Sequence, residues 1–316
     1  MENSIKTELS LLCSKVGTQI PFWTQGAGGN ISIKDRDTLW IKATGYRLDA
    51  VRESGGLAQV NFRKMAEVLE MADWNEVESE QKYSDLIQET TLRGPGLGRA
   101  SMETGFHARL SEKFVLHFHS LASLLLCHEW RKDKQRVNEW LKKKTKLQVV
   151  FVEPCRPGWV LSKKVFGDAS IFFLESHGII LQGPDSKILE NWKILEEEFC
   201  LEFNYPALLE LLRGSNSFES LFEKFGQQAI PFKCYFPDVA VFNDRLCRIL
   251  QKNNQGLYFF PKASLSEDRD MAELWLATLM IYHFCPKFEE VPEEISSTVK
   301  ELPTEKIRQQ IKGKHD

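Results

Sequence analysis

His117 and His119 stand two apart in the apolar run Phe114-Val115-Leu116-His117-Phe118-His119. On a strand, side chains at i and i+2 leave the same face, so the run predicts two imidazoles side by side. Two such rings are costly to bury unless each is satisfied, and a bound metal ion satisfies both. For an isolated His-x-His, a chance pair at the end of a sheet is the competing explanation. Three further residues bear on the choice. Glu103 lies 14 residues upstream of His117. His107 follows Glu103 by four, a spacing that shares one helix face. His177 falls where a strand pattern over 169–174 meets the turn Glu175-Ser176-His177-Gly178, a place that commonly exposes a functional side chain. Three nitrogen ligands with a carboxylate or water would make a catalytic zinc site with an open position.

A second group of residues could hold an anion. Gln25-Gly26-Ala27-Gly28-Gly29-Asn30 is rich in backbone N–H groups and is followed by Ser32. Such a turn can cradle a phosphate or carboxylate, although taken alone it can equally be a tight turn. It lacks the G-x-G-x-x-G spacing and leads into a strand pattern, so a dinucleotide loop is not expected. Thr44-Gly45 and Ser101 add hydroxyls and backbone donors. The basic cluster Lys142-Lys143-Lys144-Thr145-Lys146 reads as a solvated helix end.

The elements that must position these residues follow from periodicity. Ile5, Leu9, Leu12 and Val16 predict a helix closed by Gly17. Strands are expected over 31–34 and 38–43, with Asn61 capping a helix that carries Met65, Val68 and Leu69. A short helix over 103–111 should precede the His-x-His strand. Strands over 169–174 and 179–181 should lead to a long helix starting at Pro184, with Ile188, Trp192, Leu195, Phe199 and Phe203 as its apolar stripe. Pro206 marks a boundary, beyond which a strand-like piece over 239–242 and a helix near 271–282 stand out. The alternation through 1–205 predicts an α/β layered core, and 206–316 an α+β extension packed on it.

Composition narrows the partners. The chain has 316 residues, 41 Lys+Arg against 44 Asp+Glu, 42% hydrophobic and 27% charged content. This is a globular balance, long enough to bury a sizeable core without disulfides. A net charge of −3 gives no electrostatic reason to expect nucleic acid or an anionic membrane. No apolar run reaches the roughly 18 residues of a membrane span. The opening Met1-Glu2-Asn3-Ser4-Ile5-Lys6 lacks the pattern of a signal peptide. Seven cysteines without a C-x-x-C pair read as reduced thiols in a cytoplasmic protein.

Taken in order, the motifs resemble the class II aldolase/adducin family. The matching pieces are Gly28-Gly29-Asn30-Ile31-Ser32, Ile41-Lys42-Ala43-Thr44-Gly45, Ser101-Met102-Glu103-Thr104, His117-Phe118-His119-Ser120, Arg156-Pro157-Gly158 and His177 through Gly183. The Glu-to-His spacing and the Val152-to-Gly158 segment are most similar to the aldolase portion of bifunctional rhamnulose-1-phosphate aldolase/alcohol dehydrogenases. The likeness covers about residues 20–205 and is fainter through Tyr235-Phe236-Pro237-Asp238 and the stretch near Glu305 to Arg308. No dehydrogenase-like segment follows, so a single activity is expected.

The resemblance implies a three-layer α/β/α sandwich with a mostly antiparallel central sheet. It implies one zinc ion per chain on His117, His119 and His177, with Glu103 as acid/base, and Gly29, Asn30, Thr44, Gly45 and Ser101 around a substrate phosphate. The expected reaction is reversible aldol cleavage of a ketose phosphate or related hydroxy-ketone through a metal-stabilised enediolate. Epimerisation or dehydration on the same scaffold, and a non-catalytic adducin-like role, are the alternatives. Retention of all three histidines and Glu103 speaks against the last. His107 is expected to be structural or to support the ligands. Met102 replaces a serine frequent in the family, and Glu175 brings an additional carboxylate near His177. Homotetramers with sites near subunit interfaces are usual in the family, where a neighbour can supply a tyrosine; Tyr205, Tyr235 and Tyr258 are the candidates here.

Overall fold

The computed structural model describes residues 2–74, 76–265, 268–303 and 305–306. Seven strands form one mixed sheet: β1 Asn30–Asp35, β2 Thr38–Lys42, β3 Leu57–Asn61, β4 Phe114–Phe118, β5 Val149–Val152, β6 Ile171–Leu174 and β7 Gly178–Gly183. Their order is β3-β2-β1-β4-β7-β6-β5, with β5 and β6 parallel and the other neighbours antiparallel. Helices cover both faces, which is why the central strands read as nearly continuous apolar runs. In chain order these are α1 Glu2–Gly17, α2 Phe62–Met71, α3 Glu76–Thr90, α4 Thr104–Arg109, α5 Leu121–Lys132, α6 Lys134–Lys144, α7 Trp159–Lys164 and α8 Ile188–Glu202.

Strand periodicity divides the side chains between two cores. Ile31, Ile33, Leu116 and Leu181 join one large cluster with Leu9 of α1, Leu125 of α5 and Trp192 of α8. Their neighbours in sequence, Val115 and Ile180, point the other way, onto Phe106 of α4 and Leu161 of α7. Leu39, Ile41 and Val60 at the far edge are covered by Met65 and Leu69 of α2 and by Tyr83 and Ile87 of α3. Asn61 caps α2 as its sequence position suggests, its side chain accepting from the Lys64 N–H at 3.1 Å.

Two local expectations need correction, and one helix was not anticipated. Helix α8 starts at Ile188, because Asp185 first closes a turn by accepting from the Lys187 N–H at 2.9 Å. The charged stretch after residue 73 contains the helix α3, anchored by the buried Tyr83, Leu86 and Ile87. Residues 239–242 are not a strand. Pro237 occupies the first turn of a helix, α11 Pro237–Val241, for which its fixed φ is already suited. The apolar run arises because α11 is buried all round.

Beyond residue 205 the described residues are mainly helical: α9 Pro206–Arg213, α10 Phe218–Phe225, α11, α12 Asn243–Ile249, α13 Arg269–Phe284 and α14 Glu293–Ser296. The short strands Gln251–Lys252 and Tyr258–Phe259 pair antiparallel outside the main sheet. Tyr235, Phe236 and Trp275 belong to the same apolar cluster as Ile31 and Leu116. Ile307 and Arg308, the end of the family-like stretch near Glu305, lie outside the described residues.

Candidate metal centre and substrate cleft

Antiparallel register brings the histidines together. β1 starts, β4 ends and β7 starts at one end of the sheet, with Asn30 opposite His117 and His117 opposite Ile180. His117 is therefore inside β4, His119 just past its end, and His177 just before β7. Ser120 then caps α5 by accepting from the Ser123 N–H at 3.2 Å, so the chain turns into a helix directly after His119. The Nε2 atoms of His117 and His119 are 3.2 Å apart, and one ring nitrogen from each of the three histidines falls within 4.8 Å of the others. His117 Nδ1 donates to the Ile179 carbonyl at 3.0 Å, leaving its Nε2 lone pair toward the other rings.

Glu103 enters from α4, where it is the N-cap residue. Its Oε2 lies 3.5 Å from His117 Nε2 and its Oε1 3.4 Å from His177 Nε2. Asn30 Nδ2 donates to Oε2 at 2.6 Å and reaches Ser101 Oγ at 3.4 Å, while the Glu103 N–H donates to Ser101 Oγ at 3.3 Å. His107, fully buried on α4, bonds Asn30 Oδ1 through Nε2 and Ser32 Oγ through Nδ1 at 2.7 Å. Because Oδ1 only accepts, His107 carries its proton on Nε2 and accepts a hydrogen bond from the Ser32 hydroxyl on Nδ1. His107 is thus the residue that orients Asn30.

Burial favours the neutral, metal-binding form of two of the rings, lowering His117 and pushing His177 down to about 3 despite the nearby Glu103 carboxylate. Burial alone would raise the Glu103 carboxyl. Against burial, positive charge on the adjacent imidazoles, His117 first, together with the Asn30 amide holds the carboxyl below the usual range; with the rings neutral only the amide acts in that sense. Glu103 Oε1 is buried and has no hydrogen-bond partner. A buried carboxylate oxygen left bare among three imidazoles is costly unless a cation joins them. These residues fit a divalent metal ion with nitrogen and oxygen ligands.

A cleft of about 530 Å³, partly open to solvent, adjoins the His119 and His177 rings. Gly29, Asn30, Thr44, Gly45 and Ser101 all line it, together with Glu103, His119 and His177. Gly29 has φ +71°, and a Cβ there would lie 2.8 Å from the His117 carbonyl oxygen, so only glycine lets the loop pass so close to β4. Sequence reasoning did not single out Lys42, Asp238 or Glu305, which also line the cleft. Lys42 Nζ donates to the Ala27 and Tyr46 carbonyls, both at 2.9 Å, tying the glycine loop to the Thr44-Gly45 turn. A buried lysine at the end of an apolar strand was the available signal.

Other candidates lie elsewhere. Glu175 turns away from the cleft and is bound by Arg131, which also holds Glu289. Glu153 is exposed. The Tyr205 hydroxyl donates to Glu129 at 2.8 Å, and the buried Tyr235 hydroxyl has no hydrogen-bond partner. Among the described residues no tyrosine lines the cleft.

Among solved structures, the N-terminal class II aldolase domain of a conserved protein from Thermoplasma acidophilum is similar at 22% identity and a TM-score of 0.50. The match covers 62% of this chain and 92% of that one. An aldolase II superfamily protein from Pseudomonas syringae aligns over 89% of this chain and 93% of its own, with 14% identity and a TM-score of 0.43. L-fuculose-1-phosphate aldolase from Thermus thermophilus aligns over 66% and 98%, with 14% identity and a TM-score of 0.45. No curated protein sequence matches the chain at a significant level. Among described residues no helix is long and apolar enough to cross a membrane. The model of the class II aldolase and adducin N-terminal domain matches residues 17–196, more than half of the chain and all of the motifs around the histidines. The chain belongs to the class II aldolase/adducin family.

Proposed function

We propose that this protein is a zinc-dependent aldolase that reversibly cleaves a ketose phosphate or related hydroxy-ketone. The observation that carries the reading is the bare Glu103 Oε1 among the buried His117, His119 and His177. On this reading the three imidazoles are the ligands and Glu103 is the acid/base. When bound, zinc supplies Lewis-acid polarisation of the substrate carbonyl and hydroxyl. Glu103 moves the proton at the carbon next to that carbonyl, and Asn30 holds the carboxylate in place through Oε2. Gly29, Thr44, Gly45 and Ser101 receive the phosphate or terminal hydroxyl, with Lys42 fixing the two loops that carry them. Met102 offers no hydroxyl to that end of the cleft.

Residues 1–205 form the catalytic domain on this reading, and 206–316 an appendage packed against it. The enzyme works in the cytoplasm as a homo-oligomer, with a tetramer as the family expectation. The test is metal analysis of the purified protein, then a screen for aldol cleavage of ketose 1-phosphates. Zinc near one per chain with cleavage of one sugar supports the proposal. Epimerised or dehydrated product would assign the scaffold's other chemistry, and a metal-free, inert protein would leave an adducin-like role.

A further inference from the structure

Asp238 comes from α11, more than a hundred residues after His119 in sequence, yet its Oδ2 lies 3.1 Å from His119 Nδ1. Both side chains are almost fully buried. His119 Nδ1 is buried and makes no hydrogen bond as the ring stands, so the Asp238 carboxylate 3.1 Å away is the group that a proton there would meet, while His119 Nε2, on the opposite side of the ring, points at His117 Nε2 at 3.2 Å. A carboxylate behind the non-ligating nitrogen selects the ring tautomer and raises the basicity of the ligating one. The contact is enclosed. A Cβ on Gly28 would sit 2.9 Å from Asp238 Oδ2 and 3.2 Å from His119 Nδ1, so the loop leaves room for the pair only because residue 28 is glycine. Phe236 packs on the His119 ring at 6.3 Å between centroids, and Gln25 Nε2 donates to the His119 carbonyl at 3.2 Å.

The same C-terminal region grips the other side of the cleft. Glu273 of α13, almost fully buried, accepts the Gly26 N–H at 2.9 Å and pairs with Arg47 at 2.9 and 3.1 Å. It thereby ties down the start of the glycine loop and the chain just after Thr44-Gly45. A carboxylate from α11 behind a ligand and one from α13 behind the substrate loops make the region after residue 205 part of the site's architecture.

We infer that Asp238 is the positioning residue of His119, so that metal affinity depends on the docking of α11 and metal binding in turn secures that docking. The inference rests on the metal reading above and assigns Asp238 no contact with substrate. Linkage makes the coupling reciprocal: whatever α11 adds to metal affinity, the metal adds to the stability of docked α11.

The test uses the full chain and zinc alone. Competition with a chromogenic chelator should show Asp238→Ala weakening zinc binding about 10- to 100-fold. Asp238→Asn should lose less, because its amide oxygen can accept from Nδ1–H. The cobalt(II)-loaded protein should show altered visible bands in Asp238→Ala, a change that loss of packing remote from the metal would not produce. Zinc should slow hydrogen exchange over 236–242 in the wild type. That last measurement needs no variant and stands even if Asp238→Ala does not fold. Zinc-bound wild type without protection there, or Asp238→Ala with wild-type affinity and cobalt spectrum, overturns the inference and leaves the metal reading intact. A wild type that binds no zinc removes both.

Discussion

Asn30 Nδ2 stands 2.6 Å from Glu103 Oε2, while the other end of the same amide is held by His107. The amide cannot rotate without losing a bond at each end, so the Glu103 carboxylate is clamped before any substrate arrives. Ser32, His107, Asn30 and Glu103 form one buried line of hydrogen bonds from β1 through α4 to the histidines. A clamped carboxylate loses less freedom at the moment of proton transfer, and the arrangement makes Asn30 a positioning group.

Replacing His117 by alanine should strip the metal from the purified protein without unfolding it, because the ring is one of the three ligands on the proposed reading. Mass-spectrometric metal analysis of this variant and of His117→Ala/His119→Ala checks the assignment. Stoichiometric zinc retained in the double variant would move the site elsewhere.

Glu103→Gln keeps the shape of the side chain but cannot shuttle a proton. Turnover should fall by at least the roughly 10²–10⁴-fold typical of a lost general acid/base, with most zinc retained. A kcat like that of the wild type would remove Glu103 from the chemistry.

Asn30→Ala leaves a carboxylate oxygen and the His107 ring with unmet bonds in a buried place. A loss of about 1–3 kcal/mol in stability is expected from the orphaned groups, together with reduced kcat. Urea unfolding and steady-state rates measured on the same sample separate the two effects. Unchanged stability would show that the line of bonds is dispensable.

Glu196 on α8 accepts from the Trp23 indole N–H at 3.1 Å to each oxygen, and burial pushes its carboxyl up to about 8. Unfolded, a glutamate titrates near about 4.3. Between these values the native state holds a proton that the unfolded chain releases, so stability falls as pH rises from about 4.5 toward 8. The favourable contribution is complete below the unfolded pKa and lost above the folded one. Glu196→Gln should flatten this decline and gain stability at pH 8.5, on the order of a few kcal/mol. Urea titrations at pH 5.5, 7 and 8.5 test it; parallel pH curves for the two proteins would show that Glu196 is ionised in the native state.

Breaking the Glu273 cluster is expected to be costly, because Glu273→Ala leaves Arg47 and the Gly26 N–H without this partner. Loss of one member of a buried pair costs about 3–5 kcal/mol, and the partial exposure of Arg47 places this case toward the lower figure. A melting temperature within a degree or two of the wild type would contradict that role.

The histidine pair, Glu103, the glycine turn and their order along the chain were legible in the sequence, because metal and anion sites demand few residue types at short spacings. Strands β1, β4 and β7 were legible as well, their alternation or apolar continuity following from which faces they bury. His107 was legible only as a supporting residue; its partner Asn30 is 77 positions away, brought close by packing α4 on the sheet. The strand-like run over 239–242 misled because a helix buried all round and a buried strand share the same apolar signal at that length. Asp238 and Glu305 stood only in segments of faint family likeness, and Glu273 in a plain helical stretch where a lone acidic residue looks like solvated surface, so none was singled out for a role. Only tertiary structure decided their place, by folding the C-terminal helices back onto the end of the sheet where β1, β4 and β7 meet. Contacts between residues more than a hundred positions apart depend on how whole elements pack, and no local spacing encodes that.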